Sequence, residues 1–240
     1  MPGGRLYLVP NLLGVIAPEA VLPAHTIAIA RDLRHLVVEN AKAARAFLKT
    51  IGTTTAIQSI AITEIGERTT PADIERMLGP ALAGGDVGLV SDAGCPAVAD
   101  PGAQLVAAAH RAGLRVVPLV GPSALLLALM ASGMNGQGFS FHGYLPAKAE
   151  QRVAALRQVE ALARKTGATQ MFIETPYRNV AMLESLVSAC DPGTLLAVAA
   201  DLTLATEEIV MSPLAQWRGR DLQRYQNRPV IFLLGRAQSY

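Results

Sequence analysis

The chain has 240 residues, of which 51% are hydrophobic and 17% charged, with a formal net charge of +2. That balance excludes global disorder and supports a sizeable core, and it is too mild to mark a nucleic-acid binder by overall basicity. Two cysteines, Cys95 and Cys190, lie far apart and make no CxxC. A disulfide framework or cysteine zinc site is therefore not expected, and reduced thiols in a cytoplasm are the default. The first residues lack the basic leader and long apolar run of a signal peptide, and no segment reaches the roughly 18 apolar residues of a membrane span.

Taken in order, Arg5–Val9 reads as a short apolar strand ended by Pro10, and Ile27–Arg31 as a short helix. His35–Glu39 is the next strand. Asn40 is placed to cap a helix over Ala41–Ile51, where Ala44, Phe47, Leu48 and Ile51 recur at helical spacing. Ile57–Ile65 reads as a strand, Pro71–Ala83 as an amphipathic helix, and Val87–Val90 as a strand. In the loop that follows, Asp100-Pro101 has the form of an N-cap and first helical residue, and Gly121-Pro122-Ser123 repeats that form after a strand at Leu114–Leu119. Repeated strand–helix units of this length predict a parallel sheet.

Ser132–Gly136 reads as a linker, which divides the chain into 1–134 and 135–240. Beyond it come a strand at Phe139–Tyr144, a helix at Gln151–Lys165, a strand at Gln170–Ile173 and a helix at Asn179–Ala189. A strand at Leu195–Ala199 precedes two more, Glu207–Met211 and Val230–Leu234, whose closeness predicts that they pair antiparallel. The expected architecture is α/β, in two α/β lobes.

Ligands of open α/β sheets bind at the carboxyl ends of the strands. Two loops qualify, Ser91–Pro101 and Gly121–Ser123. Gly94 permits close approach of a ligand, and Asp92 and Ser123 add acceptors and donors. Such a site suits a ligand with a carboxylate or a ribose, for example an adenosyl amino acid. No GxGxxG follows the first strand and no GxxxxGK[ST] occurs, so dinucleotide and P-loop readings lack support. The four histidines show no metal-ligand spacing, so no metal is expected. A hydroxyl acceptor would benefit from a general base, and Glu39, Asp92 and Glu174 each follow a predicted strand. Glu174 is equally placed to pair with Arg178 at i,i+4 spacing. Lys148, Arg152 and Arg178 are candidates for phosphate contacts, and Tyr144 and Tyr177 for base stacking.

Four segments, SDAGCPAVADPG, VVPLVGPSALLLALMASG, FHGYLPAK and FIETPYRN, occur in this order and resemble the tetrapyrrole methylase superfamily. The branch they resemble most contains the small-subunit ribosomal RNA cytidine 2′-O-methyltransferases. The resemblance implies two α/β lobes with S-adenosylmethionine in the cleft between them, and a homodimer. It also implies cofactor contacts from Ser91, Asp92, Ala93, Gly94, Cys95, Val98 and Ala99, and from Ser123 and Ala124. In the second lobe it adds Thr175 and Leu202.

The chain departs from that branch where substrate residues are expected. Val9-Pro10-Asn11-Leu12-Leu13-Gly14 stands in place of a TPIGN-like loop, and Glu39-Asn40-Ala41-Lys42 in place of an Glu-Asp-Thr-Arg pattern. The expected substrate set is Asn11, Tyr144, Lys148, Arg152 and Arg178, with Glu39 and Glu174 as catalytic candidates. The implied activity is cytoplasmic methyl transfer to RNA, at a ribose 2′-hydroxyl of ribosomal RNA. The alternatives are a small-molecule acceptor such as a tetrapyrrole, or a relative that binds cofactor or RNA without turnover.

Overall fold

A computed structural model describes residues 3–236. The chain divides into two compact units, Met1–Ser123 and Ala124–Tyr240, each built on its own five-stranded sheet. The two-lobed α/β architecture expected from the sequence is therefore present. The division comes one helix earlier than the expected linker. Helix α5 (Ala124–Ser132) is apolar around its whole circumference and packs against strands of the second sheet, so it belongs to the second unit.

The first sheet joins β1 (Arg5–Val9), β2 (His35–Val38), β3 (Ala61–Glu64), β4 (Val87–Val90) and β5 (Arg115–Pro118) in the order β3-β2-β4-β1-β5. All of its pairings are parallel. Side chains that alternate along the strands feed two cores. Tyr7, Val9, Leu36 and Val38 pack with α1 (Ala24–Asp32) and α2 (Ala41–Ile51) on one face. Leu6, Val37, Val87 and Leu89 pack with α3 (Pro71–Leu82) and α4 (Ala103–Arg111) on the other. This is why the strands read as apolar runs rather than as alternating patterns.

Asn40 caps α2 as expected, its Oδ1 accepting from Lys42 N at 2.9 Å and Ala43 N at 3.2 Å. The expected starts of the next two helices are corrected. α4 begins at Ala103 with Gly102 as its N-cap residue, and α5 begins at Ala124. Asp100-Pro101 and Pro122 lie outside these helices, because the chain turns through positive φ at Ala97, Ala99 and Gly102 before it can enter α4. The stretch expected as a strand over Ile57–Ile65 opens with a 3₁₀ turn at Ile57–Ser59, and only Ala61–Glu64 joins the sheet.

The second sheet joins β6 (Phe139–Tyr144), β7 (Thr169–Ile173), β8 (Leu195–Ala200), β9 (Glu208–Pro213) and β10 (Val230–Gly235) in the order β6-β7-β10-β8-β9. The last two strands do not pair with each other. Each pairs antiparallel with β8, and β10 inserts between β7 and β8. Phe172 and Phe232 stack across the β7–β10 ladder, 5.5 Å between centroids, in a core closed by α6 (Ala149–Thr166) and α7 (Asn179–Ala189). No helix among the described residues is long and apolar enough to cross a membrane.

Candidate active site

In the first sheet, β1, β2 and β4 end in register at Val9, Val38 and Val90. The residues that follow them, Pro10-Asn11, Glu39 and Ser91-Asp92, therefore emerge together at the carboxyl edge. The chain leaves β1 toward β2 and leaves β4 toward β5 on the opposite side, which makes the β1–β4 boundary the switch point where such sheets hold ligands.

Asn11 is buried and ties this edge together. Its backbone forms an isolated antiparallel bridge with Gly94, with N–H···O distances of 2.9 and 3.2 Å. Its Nδ2 donates to the carbonyls of Ser91 at 3.0 Å and Asp92 at 3.1 Å, and its Oδ1 accepts from Leu12 N at 2.8 Å. With its amide fully engaged, Asn11 braces the loop and is not free for the substrate contact expected of it. Gly94 has φ of 68°, and a Cβ there would lie 3.2 Å from Leu13 Cδ2. Ala97 and Ala99 also have positive φ, 64° and 65°, a conformation that costs an L-residue about 1–2 kcal/mol. Two alanines held this way in one loop mark backbone shaped for something other than its own comfort.

The second loop packs onto the first. Cys95 Sγ donates to Pro122 O at 3.5 Å, and Gly121 approaches Pro10 so closely that a Cβ would sit 2.3 Å from its Cγ. Burial pushes the Cys95 thiol above its ordinary range, which fits a packed side chain rather than a nucleophile. Ser123 ends the first unit and Ala124 begins the second. Asp92, Ala93, Val98 and Ala99 are exposed along the loop, whereas Ser91 and Gly94 are buried beneath it.

Glu39, Ser91 and Asp100 meet under the loop. Burial pushes the Glu39 carboxyl up to about 7, and the nearby Asp100 and Asp92 carboxyls push the same way. The Asp92 backbone N–H and the Ser91 hydroxyl oppose the shift in part. Burial likewise raises Asp100 and Asp92. Glu39 Oε1 and Ser91 Oγ are buried, and although they lie close together neither closes a hydrogen bond of good geometry among the described residues. Asp100 thus belongs to this cluster and does not cap α4. The signal was the pair of aspartates in one post-strand loop, but local spacing assigned the second of them to the helix.

In the second unit, Glu174 is 4% exposed. Its Oε1 accepts from Arg178 Nε at 2.9 Å, Arg178 Nη2 at 2.6 Å, Thr175 N at 2.7 Å and Thr175 Oγ1 at 3.1 Å. The pairing with Arg178 was one of the two expectations for this residue, and it commits Oε1 locally, while Oε2 is buried and closes no hydrogen bond among the described residues. Arg152 is also buried, with Nε donating to Ser185 Oγ and Nη1 to Ala147 O, both at 2.9 Å. It holds α6 against α7 and is not available to phosphate. Leu202 is buried between Asp201 and Thr203, which both have positive φ. Lys148 is exposed just before α6, while Tyr144 and Tyr177 are 58% and 63% exposed. The Arg178 guanidinium lies 5.4 Å from the Tyr177 ring centroid. The His142 ring is satisfied by Gln170 at 2.7 Å.

These features can be set beside known proteins. Residues 10–217 match the family model described as Tetrapyrrole (Corrin/Porphyrin) Methylases. The chain belongs to the tetrapyrrole methylase family. Within the family it is 32% identical over 240 residues to "Ribosomal RNA small subunit methyltransferase I" of Escherichia coli O157:H7, covering 97% of this chain and 78% of that protein. The protein of the same name from Pseudomonas aeruginosa is 35% identical, with 98% and 80% covered. Against that of Vibrio cholerae the match is 37% identical but covers 64% of this chain and 53% of the relative. Two solved structures share the tetrapyrrole methylase fold: the methyltransferase CobJ (TM-score 0.64, 21% identity, 98% and 95% covered) and uroporphyrin-III-C-methyltransferase from Thermus thermophilus (TM-score 0.57, 18% identity, 98% and 93% covered). As a member of this family the chain is an S-adenosylmethionine-dependent methyltransferase. Its own residues fit that cofactor: the loop exposes Asp92, Ala93, Val98 and Ala99 along the carboxyl edge, and beneath it the buried Ser91 Oγ and Glu39 Oε1 close no hydrogen bond of good geometry among the described residues.

Proposed function

We propose that this methyltransferase acts on RNA, at a ribose 2′-hydroxyl of small-subunit ribosomal RNA, in the cytoplasm and as a homodimer. The observation that carries the RNA reading is the grouping of the exposed Tyr177 ring with the Arg178 guanidinium on the second unit, with a second exposed ring, Tyr144, in the same unit. That grouping suits bases that stack and phosphates that pair. Lys148 adds a free cation in the same unit. Near-full-length similarity to proteins named as ribosomal RNA methyltransferases supports the choice of acceptor.

The methyl donor is assigned to Ser91–Ala99, with Ser123 and Ala124. For Thr175 and Leu202 the assignment rests on the resemblance. When bound, S-adenosylmethionine supplies a methyl group on a sulfonium. The protein must align acceptor and donor and exclude water. Glu39 is assigned as the base that takes the acceptor proton, because a carboxyl titrating near 7 is matched to neutral pH. Glu174 is assigned a structural role.

The test is transfer of tritium from labelled S-adenosylmethionine to ribosomal RNA from a strain lacking this protein, followed by nucleoside analysis. Label in a 2′-O-methylated nucleoside of the small-subunit RNA is expected. Label confined to a low-mass fraction would replace RNA by a small-molecule acceptor.

A further inference from the structure

The carboxyl edge of the first sheet carries four acids, Glu39, Glu64, Asp92 and Asp100, and among the described residues no cation is paired to any of them. Ser91, 1% exposed, lies close to the Glu39 and Asp100 carboxyls, and its hydroxyl closes no hydrogen bond of good geometry among the described residues. Glu39 also opens onto a cavity of about 580 Å³. A buried hydroxyl without a well-placed partner is unfavourable, and adjacent carboxyls resist ionising together. Both penalties are lifted by a ligand that brings positive charge.

The other charged groups around Glu39 do not supply that charge. Glu64, at the end of β3, accepts from Ala41 N at 2.7 Å. Arg76 of α3 is paired with Asp73. Glu67 and Arg68 stand exposed on the cavity wall.

We infer that Glu39, Asp100 and the Ser91 hydroxyl form a cation subsite for the positively charged part of the methyl donor. The inference rests on the cofactor assignment above. It gives the acid cluster a purpose: the donor's arrival ionises Glu39 and so readies it to accept a proton from the substrate hydroxyl. No bond is made or broken in this step; one proton passes from the carboxyl pair to water, and the ligand's charge replaces it.

The shared chemistry is a cation, and it has two sources in the donor, the sulfonium and the ammonium. S-adenosylmethionine carries both, S-adenosylhomocysteine only the ammonium, and methylthioadenosine neither. Calorimetric titration of the full chain with each ligand near pH 7, in two buffers of different ionisation heat, counts the protons released. About half a proton per S-adenosylmethionine is expected where Glu39 is half ionised. Affinity should rise with pH by up to about tenfold per unit below that point and level off above it. Release with S-adenosylmethionine alone identifies the sulfonium; release also with S-adenosylhomocysteine identifies the ammonium. Methylthioadenosine should release none. Glu39→Gln should bind without release and with a flat pH profile, and Asp100→Asn, as an independent variant, should reduce the release.

Binding of S-adenosylmethionine without proton movement, or release undiminished in Glu39→Gln, overturns the subsite and leaves the cofactor assignment standing. Failure of all three ligands to bind overturns both.

Discussion

Asn11 and Gly94, from the ends of different strands, hold each other by two backbone hydrogen bonds, while the Asn11 amide donates to the two carbonyls at the mouth of the same loop. The loop after β4 is therefore not free-standing. It is set by the residue that follows β1.

Replacing Asn11 by Ala removes the side-chain donor and leaves the Ser91 and Asp92 carbonyls short of a partner, at a cost of about 1–3 kcal/mol. Because the loss falls on the loop, affinity for S-adenosylmethionine should drop while the RNA surface proposed for the second unit is untouched. Calorimetric cofactor titration beside thermal melting checks this. Wild-type cofactor affinity in the variant would deny Asn11 its bracing role.

At Gly94 the backbone has φ of 68°. Gly94→Val places a β-branched residue in the left-handed region and a Cβ 3.2 Å from Leu13 Cδ2. The expected cost is about 1–2 kcal/mol of stability from the backbone alone, with a far larger loss of cofactor affinity. A folded variant that binds the cofactor as tightly as the wild type would remove Gly94 from the site.

The pH dependence of stability follows from Glu39. Its carboxyl titrates near 7 when folded, against 4.5 as the ordinary value. Between those values the folded chain keeps a proton that the unfolded chain has lost. The resulting stabilisation is complete below the unfolded value and disappears as pH rises through about 7. Glu39→Gln has nothing to ionise, so urea midpoints for variant and wild type should converge at about pH 4, with the variant ahead at about pH 8. Equal midpoints throughout would show that Glu39 ionises normally.

Arg178 neutralises the buried Glu174, whose side chain is fully covered. Arg178→Ala strands that charge and should lower the denaturation midpoint, by less than breaking a fully buried pair would because Arg178 itself is partly exposed. Adding Glu174→Gln should recover much of the loss, since Gln keeps an oxygen for Thr175. Chemical denaturation of the single and double variants reads this directly.

Lys148 and Arg152 separate two roles that look alike in sequence. Lys148→Ala should weaken RNA binding and lower the salt slope by about one, leaving stability unchanged. Arg152→Ala should lower the denaturation midpoint, because Ser185 Oγ and Ala147 O lose their donor. A variant at Arg152 with wild-type stability would reopen it as a phosphate contact.

The sequence by itself determined the strand cores, the Asn40 cap, the two α/β units and the family, since each depends on neighbours within a few residues or on motifs in a fixed order. The same local information put Asp100 at a helix cap, and it could not show what Asn11 and Arg152 bind within the fold. Asp100 stands before a proline as a cap does, yet the positive φ values at Ala97 and Ala99 carry it away from the helix and under the loop with Glu39 and Ser91. Asn11 is bound to partners about eighty positions away, and Arg152 to one 33 positions away. Strand pairing showed the same limit: β9 and β10 are close in sequence, but β8 lies between them. Which polar side chains brace the fold and which face a ligand is set by burial and by hydrogen bonds between distant segments, and only the tertiary structure brings those segments together.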